Sequence, residues 1–371
     1  MANLIKKIIE LFKTNTSGSV IGIDFGSSAI KVVQLKSKNG RAVLETYGSI
    51  SLGPYDELDV GQTTNLSVDK LSEALNDLLK ESNVTTKNAI LSIPARASLI
   101  FVIELPSSIK ENELPDVVPI ESRKYIPVPI SEVSLDWWII PSEEQYLGKS
   151  SDDSFKNKKE KIKVLVVAIR NDIIDKYKDI IKNTGLLSSS FEMEVFSSIR
   201  SSFNRELSSA LLFDMGALKT KLSIVEYGVV RDFHTINRGS QDITNNLSKS
   251  LGISFSQAEE IKREFGLTGN PADRNIAEAM KLIVDYILSE SNSVVLNYEK
   301  KYNKTISKII LIGGGILLKD FPALAAKNFK SEIVIGDPFN KINTPAFLDN
   351  VLKQAGPEFS VAVGLALRRL Q

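Results

Sequence analysis

Gly22-Ile23-Asp24-Phe25-Gly26-Ser27-Ser28-Ala29-Ile30-Lys31 is an apolar run, an Asp-x-Gly step, two hydroxyls and a return to alternating apolar residues. The grammar recurs at Leu212-Phe213-Asp214-Met215-Gly216-Ala217-Leu218-Lys219-Thr220-Lys221-Leu222. Each copy reads as a β-hairpin closed by a tight turn of small residues. Glycine lets a ligand approach the backbone, and hydroxyls with turn N–H groups form a concave anion site. Asp24 and Asp214, one beside each turn, suit a hydrated divalent cation, which takes one or two carboxylates and keeps its waters. Two such hairpins, far apart in sequence, are expected to clamp the phosphates of a nucleotide from opposite sides.

A third element extends the pattern. Ile309-Ile310-Leu311-Ile312-Gly313-Gly314-Gly315 is a buried-strand run ending in three glycines. A strand end without side chains leaves a flat surface for a nucleoside. One Asp-Gly turn alone is common in β-rich proteins; two in series followed by a triple glycine form a far more specific constellation.

The order of phosphate loop, phosphate loop and glycine strand resembles the superfamily of actin, sugar kinases and the seventy-kilodalton chaperones. Within it the chain is similar to the PilM family of type IV pilus assembly, with the FtsA cell-division family next. The resemblance runs from about Gly18 to the C-terminus. Further stretches carry it: Ile90-Leu91-Ser92-Ile93-Pro94, residues 118–129 with Glu121-Ser122-Arg123-Lys124-Tyr125-Ile126-Pro127, Ser134-Leu135-Asp136-Trp137, Lys163-Val164-Leu165-Val166-Val167-Ala168-Ile169-Arg170, and Phe359-Ser360-Val361-Ala362-Val363-Gly364-Leu365-Ala366-Leu367-Arg368.

The resemblance implies an α/β fold: two lobes of the actin-like (ribonuclease H-like) ATPase type with an inserted α+β subdomain of the FtsA/PilM kind. The expected division is 1–17 as an amphipathic helix and linker; 18–83 with 187–205 as subdomain 1A; 84–186 as the inserted subdomain 1C, with a Lys-, Ser- and Asp-rich tip at 148–161; 206–250 with 304–371 as 2A; and 251–303 as 2B. Strands are expected near 89–93, 98–105, 134–140 and 162–169 of the insertion, and helices near 110–124 and 171–184. Leu4, Ile5, Ile8, Leu11 and Phe12 share one face at helical spacing. That helix either docks on its own domain or meets a membrane surface or partner.

By motif position the resemblance assigns Asp24 and Asp214 to magnesium, and Gly26, Ser27, Ser28 and Lys31 to the first phosphate loop. Gly216, Ala217 and Thr220 fall in the second. Gly239 stands where many relatives have a glycine pair, and Ala217 where many have glycine. Lys31 either pairs with a β-phosphate or is a solvated strand lysine. Glu194 matches the position that handles the attacking water, with Asp214 the other catalytic candidate; the competing reading of Glu194 is a structural acid near the hinge. Glu259 and Lys262 match the helix flanking adenosine, or else form an i,i+3 surface pair. Gly313, Gly314 and Gly315 match the adenine side. The ligands implied are ATP or ADP with Mg²⁺, turned over slowly if at all.

The partners implied are the cytoplasmic N-terminal tail of a PilN-like inner-membrane protein, the pilus motor ATPases and platform protein, and further copies of the chain. The place implied is the cytoplasmic face of the inner membrane. An FtsA-like polymerising protein and a small-molecule kinase of the same superfamily are the alternatives.

Composition fits this and excludes other classes. The 371 residues carry 46 basic and 45 acidic side chains, 43% hydrophobic residues, one histidine and no cysteine. The balanced charge argues against nucleic acid as main partner. No disulfide, thiolate nucleophile or multi-histidine metal centre is available. No apolar run reaches the ~18 residues of a membrane span, and the N-terminus lacks the apolar core of a secretory signal. His234 is expected to be structural. Trp137 and Trp138 are neighbours on a strand and must face opposite sides, one toward the core and one toward a surface that could receive a peptide.

Overall fold

The computed structural model describes residues 18–141, 161–204, 208–268 and 274–370. The expected N-terminal helix and nearly all of the 148–161 tip lie outside them.

The first lobe opens with β1 (Ser19–Phe25), β2 (Ala29–Lys38) and β3 (Arg41–Ser51), an antiparallel meander, then α1 (Val68–Glu81) and β4 (Asn88–Ile93). β4 pairs parallel to β1. The chain then leaves for β5 (Ser98–Pro106), α2 (Leu114–Ser122), β6 (Val133–Ile140) and β7 (Lys161–Arg170), which form a separate sheet in the order β5-β7-β6. It returns through α3 (Asn171–Thr184), β8 (Leu187–Met193) and α4 (Glu194–Ser202). The first sheet is thus β3-β2-β1-β4-β8.

This corrects the expected insertion at both ends. The strand expected at 89–93 pairs with β1 and β8 in the first sheet, and α3 packs Tyr177 and Ile180 with Leu75 and Leu78 of α1 on that sheet. The residues forming the insertion's own sheet run from Ser98 to Arg170. The physical reason is that a buried parallel strand and a strand of an inserted sheet have the same apolar signature.

The second lobe repeats the plan. β9 (Ala210–Met215), β10 (Thr220–Glu226) and β11 (Val229–Ile236) form the meander. α5 (Ser240–Leu251), α6 (Phe255–Phe265) and α7 (Arg274–Tyr302) follow, then β12 (Lys308–Ile312), α8 (Phe321–Asn328) and β13 (Glu332–Ile335). The sheet order β11-β10-β9-β12-β13 matches the first lobe strand for strand. α9 (Asp349–Ala355) leads to α10 (Ser360–Arg368), whose apolar residues pack with Val20, Val33 and Leu35 of the first sheet. The C-terminal helix therefore ties the second half of the chain to the first lobe. Glu192 locks that tie, paired with Arg200 at 2.6 Å, while Arg200 also donates to the Gly364 carbonyl at 2.9 Å.

The inserted sheet is covered on both faces. Leu135 and Trp137 pack with α2, whereas Leu165, Val167 and Ile140 pack with Ile199 of α4 and Val230 of β11. Trp138 points to the opposite side from Trp137 and lies 42% exposed, its ring 4.9 Å from Phe196. His234 sits exposed on the edge strand β11. No described helix is long and apolar enough to cross a membrane.

Candidate functional site

A cavity of about 580 Å³ lies between the two lobes and takes lining from the first turn (Gly26, Ser27, Ser28), the second turn (Gly216, Ala217) and the glycine strand end. That is within the size range of small-molecule and cofactor sites.

The hairpins are built alike. Gly26 N–H donates to the Ala29 carbonyl and Gly216 N–H to the Lys219 carbonyl, both at 3.0 Å, so each turn closes on the same hydrogen bond. Asp24 lies opposite Lys31 and Asp214 opposite Lys221 in register. Their wiring differs. Phe25 N–H donates to Ser92 Oγ at 2.9 Å, and that hydroxyl donates to Asp24 Oδ1 at 3.0 Å. Burial pushes the Asp24 carboxyl up to about 6, with Lys31 opposing and the nearby Glu194 charge adding to the rise. Lys31 turns to Glu358, at a loose 3.6 Å.

In the second hairpin Lys221 Nζ lies 2.7 Å from Asp214 Oδ2 and 3.0 Å from Glu194 Oε2. Burial works against the Lys221 charge, but the two carboxylates outweigh it and hold the ammonium well above the ordinary lysine range. Glu194 Oε1 accepts a hydrogen bond from Ala95 N–H at 2.7 Å, so both of its oxygens are engaged. Lys221 and the Ala95 amide are site features that motif reading missed. Lys221 stood in the repeat at the same offset from its aspartate as Lys31; Ala95 carried no signal.

On the far side, Glu259 and Lys262 of α6 meet at 2.6 Å, and Thr244 Oγ1 donates to Glu259 at 2.7 Å. Lys262 is buried, so this is a cavity wall and not a solvated surface pair. Burial opposes the Glu259 charge, yet Lys262, Thr244 and Arg263 lower its carboxyl below the usual range. Lys262 is itself lowered by burial, with Glu259 opposing.

The glycines divide. Gly313 has φ +88°, and a Cβ there would come within 2.5 Å of Asp214 Oδ1 and the Met215 carbonyl. Its bareness serves the packing of the strand end against β9. Gly314 is exposed to the cavity, and a Cβ added there would meet only Glu358, at 3.9 Å. Gly315 is buried against Met215.

Two residues expected to touch nucleotide do not line the cavity. Thr220 is buried and donates to the Arg238 carbonyl at 2.9 Å. Gly239 stands where a side chain would strike the Ala217 carbonyl at 2.3 Å, because the start of α5 docks on the second turn: Ser240 and Gln241 N–H groups donate to the carbonyls of Gly216 and Ala217. Both brace the turn from behind.

The chain matches the family model of the type IV pilus assembly protein PilM over residues 22–370. It belongs to the PilM family. A solved PilM–PilN type IV pilus biogenesis complex superposes with a TM-score of 0.80 at 22% identity, covering 96% of this chain and 99% of that one. The ethanolamine utilization protein EutJ from Carboxydothermus hydrogenoformans follows the same fold more loosely, with a TM-score of 0.52 at 14% identity, covering 99% of this chain and 96% of that one. Two cell division proteins FtsA are similar in sequence. That of Streptococcus pneumoniae is 21% identical over 89% of this chain and 78% of its own length; that of Staphylococcus epidermidis RP62A is 25% identical over 66% of this chain and 54% of its own length. The fold is actin-like, as the family resemblance implied.

The donor set fits a nucleotide: turn amides on two sides, the Ser27 and Ser28 hydroxyls on one, Lys31 beside them, a bare Gly314 and a polar wall on α6. A divalent cation fits less well. Asp214 already binds an ammonium, which it shares with Glu194.

Proposed function

We propose that this PilM-family chain binds ATP or ADP between the two hairpins and acts as a nucleotide-gated adaptor in type IV pilus assembly. The observation that carries the proposal is the cavity into which both turns, Gly314 and the Glu259–Lys262 wall open together. Phosphates would lie between the turns and the nucleoside against Gly314 and α6. Magnesium, expected to accompany the phosphates through Asp24 and Asp214, would compete with Lys221 for Asp214. Turnover is expected to be slow, because a general base must have a free acceptor near the attacking water and both Glu194 oxygens are engaged. Nucleotide then works as a conformational ligand, biasing whichever arrangement of the lobes binds it better.

The partner is the short cytoplasmic tail of a PilN-like membrane protein, docking between the first lobe and the inserted sheet. Support comes from family membership and from the likeness to a PilM–PilN complex. Such docking would place the chain at the cytoplasmic face of the inner membrane.

Calorimetric titration of ATP and of a synthetic PilN-tail peptide into the purified chain tests both halves. The expected result is saturable binding of each, with Gly314→Leu abolishing ATP binding and sparing the peptide. A chain that folds but binds no nucleotide would be a scaffold only. Fast, sugar-stimulated ATP consumption would favour a small-molecule kinase, and ATP-dependent sedimentation an FtsA-like filament.

A further inference from the structure

We propose that Lys221 is a built-in counter-cation, an ammonium standing where Asp214 and Glu194 would otherwise receive a hydrated divalent metal, so that this chain binds nucleotide phosphates without one. The inference rests on the nucleotide reading of the cleft and specifies its chemistry.

The first argument is occupancy. A divalent ion served by carboxylates through its water shell needs their oxygens free to accept from those waters, and magnesium retains most of its waters. Lys221 Nζ takes Asp214 Oδ2 at 2.7 Å and Glu194 Oε2 at 3.0 Å. The other Glu194 oxygen is held by the Ala95 amide. Three of the four carboxylate oxygens of Asp214 and Glu194 are therefore taken by N–H donors of the chain.

The second argument is valence. An ammonium has three N–H donors. Two are directed at Asp214 and Glu194, and Lys221 also lines the cavity. The third donor is available to a phosphate oxygen, so one group neutralises the protein carboxylates and contacts the ligand at once. The surroundings do not oppose this role: the cavity wall carries Asp24, Glu194, Asp214, Glu259 and Glu358 against Lys31, Lys219, Lys221, Lys262, Arg263 and Lys319. The cations equal or exceed the carboxylates before any metal enters, and the incoming ligand is an anion.

The third argument is repetition. Lys31 faces Asp24 across β1 and β2 as Lys221 faces Asp214 across β9 and β10. The two hairpins bring one lysine each to the phosphate site from opposite sides, a protein-only version of a cation clamp.

The test is the affinity of a fluorescent ATP analogue for the full chain in excess MgCl₂ and in EDTA, for wild type, Lys221→Thr and Lys221→Thr/Glu194→Gln. Wild type is expected to bind within about threefold in the two buffers, whereas both variants are expected to lose about tenfold or more in EDTA and recover in magnesium. Melting curves give a second readout: MgCl₂ with ADP should raise the melting temperature of the Lys221 variants beyond ADP alone, and leave wild type at its ADP value. The double variant removes one of the two carboxylates left unpaired, which protects against simple misfolding. A tenfold loss in wild type on chelation overturns the proposal while preserving the nucleotide reading, as does magnesium independence in the variants. Absence of binding in wild type under both conditions overturns the nucleotide reading and this inference with it.

Discussion

The two phosphate hairpins share a backbone and differ in their charges. In β1–β2 the aspartate is held by a serine hydroxyl and carries a raised pKa, while its cross-strand lysine drifts to a glutamate 3.6 Å away. In β9–β10 the lysine bridges its own aspartate and a glutamate from the first lobe at close range. A repeated turn fixes where amides and carboxylates stand; which of them is neutralised depends on what the rest of the fold brings near. Ser92 comes from β4 and Glu194 from the start of α4, and neither belongs to the repeat. The first hairpin holds its lysine only loosely, and the second ties two of its lysine's three donors to the protein.

The largest expected effect breaks that contrast on stability. Lys221→Met leaves Asp214 and Glu194 buried without their cation, and removing one partner from a buried pair costs about 4 kcal/mol. Lys31→Met removes only a loose, partly exposed contact, worth less than about 1 kcal/mol. Urea unfolding of both variants in nucleotide-free buffer measures the difference. Equal losses would mean that the two lysines are wired alike in solution.

A smaller effect, of opposite sign, belongs to Asp24. Its folded pKa of about 6 lies above the ordinary unfolded value near ~3.9. Folding therefore takes up a proton between about pH 4 and 6, and this contribution to stability is full below that window and lost as pH rises through it. At pH 8 the buried charge costs about 3 kcal/mol. Asp24→Asn keeps an acceptor for the Ser92 hydroxyl and removes the charge. It should be more stable than wild type by about that amount at pH 8, with the gap closing by about pH 4. Denaturant titrations at the two pH values decide it, and a gap independent of pH would place the cost elsewhere than in the carboxylate.

Much of this architecture is legible in the chain. The Asp-x-Gly repeat and the triple glycine place the two lobes and the cleft, because tight turns and close backbone approach demand those residues locally. The helix at 171–184 is readable to the residue: its apolar face is periodic and Gly185, in the left-handed conformation, ends it. What is not legible is partnership. β4 looks like any buried strand, and only pairing with β1 assigns it to the first lobe. Gly239 and Thr220 sit at ligand positions of the motif yet brace the turn from behind, since a motif position names a place in the chain and not the direction a group faces. Lys221 was visible opposite Asp214, but its second carboxylate arrives from another lobe, which no local pattern encodes.

The smallest effect on stability is the sharpest on the ligand. Lys31 is nearly buried but weakly paired, so its charge is the one on the first hairpin that a phosphate can take over from Glu358. A hydrogen bond to a charged partner is worth about 1.5 kcal/mol or more, which is about tenfold in affinity. Lys31→Ala should therefore bind ATP about tenfold more weakly while unfolding within about 0.5 kcal/mol of wild type. Glu358→Gln should act the other way, since it frees Lys31 and removes a carboxylate from the phosphate side, so ATP affinity should rise by up to about threefold. Isothermal titration of the two variants measures both shifts. If Glu358→Gln weakened binding as Lys31→Ala does, Glu358 would be holding Lys31 in place for the ligand, and the first hairpin would be wired as tightly as the second.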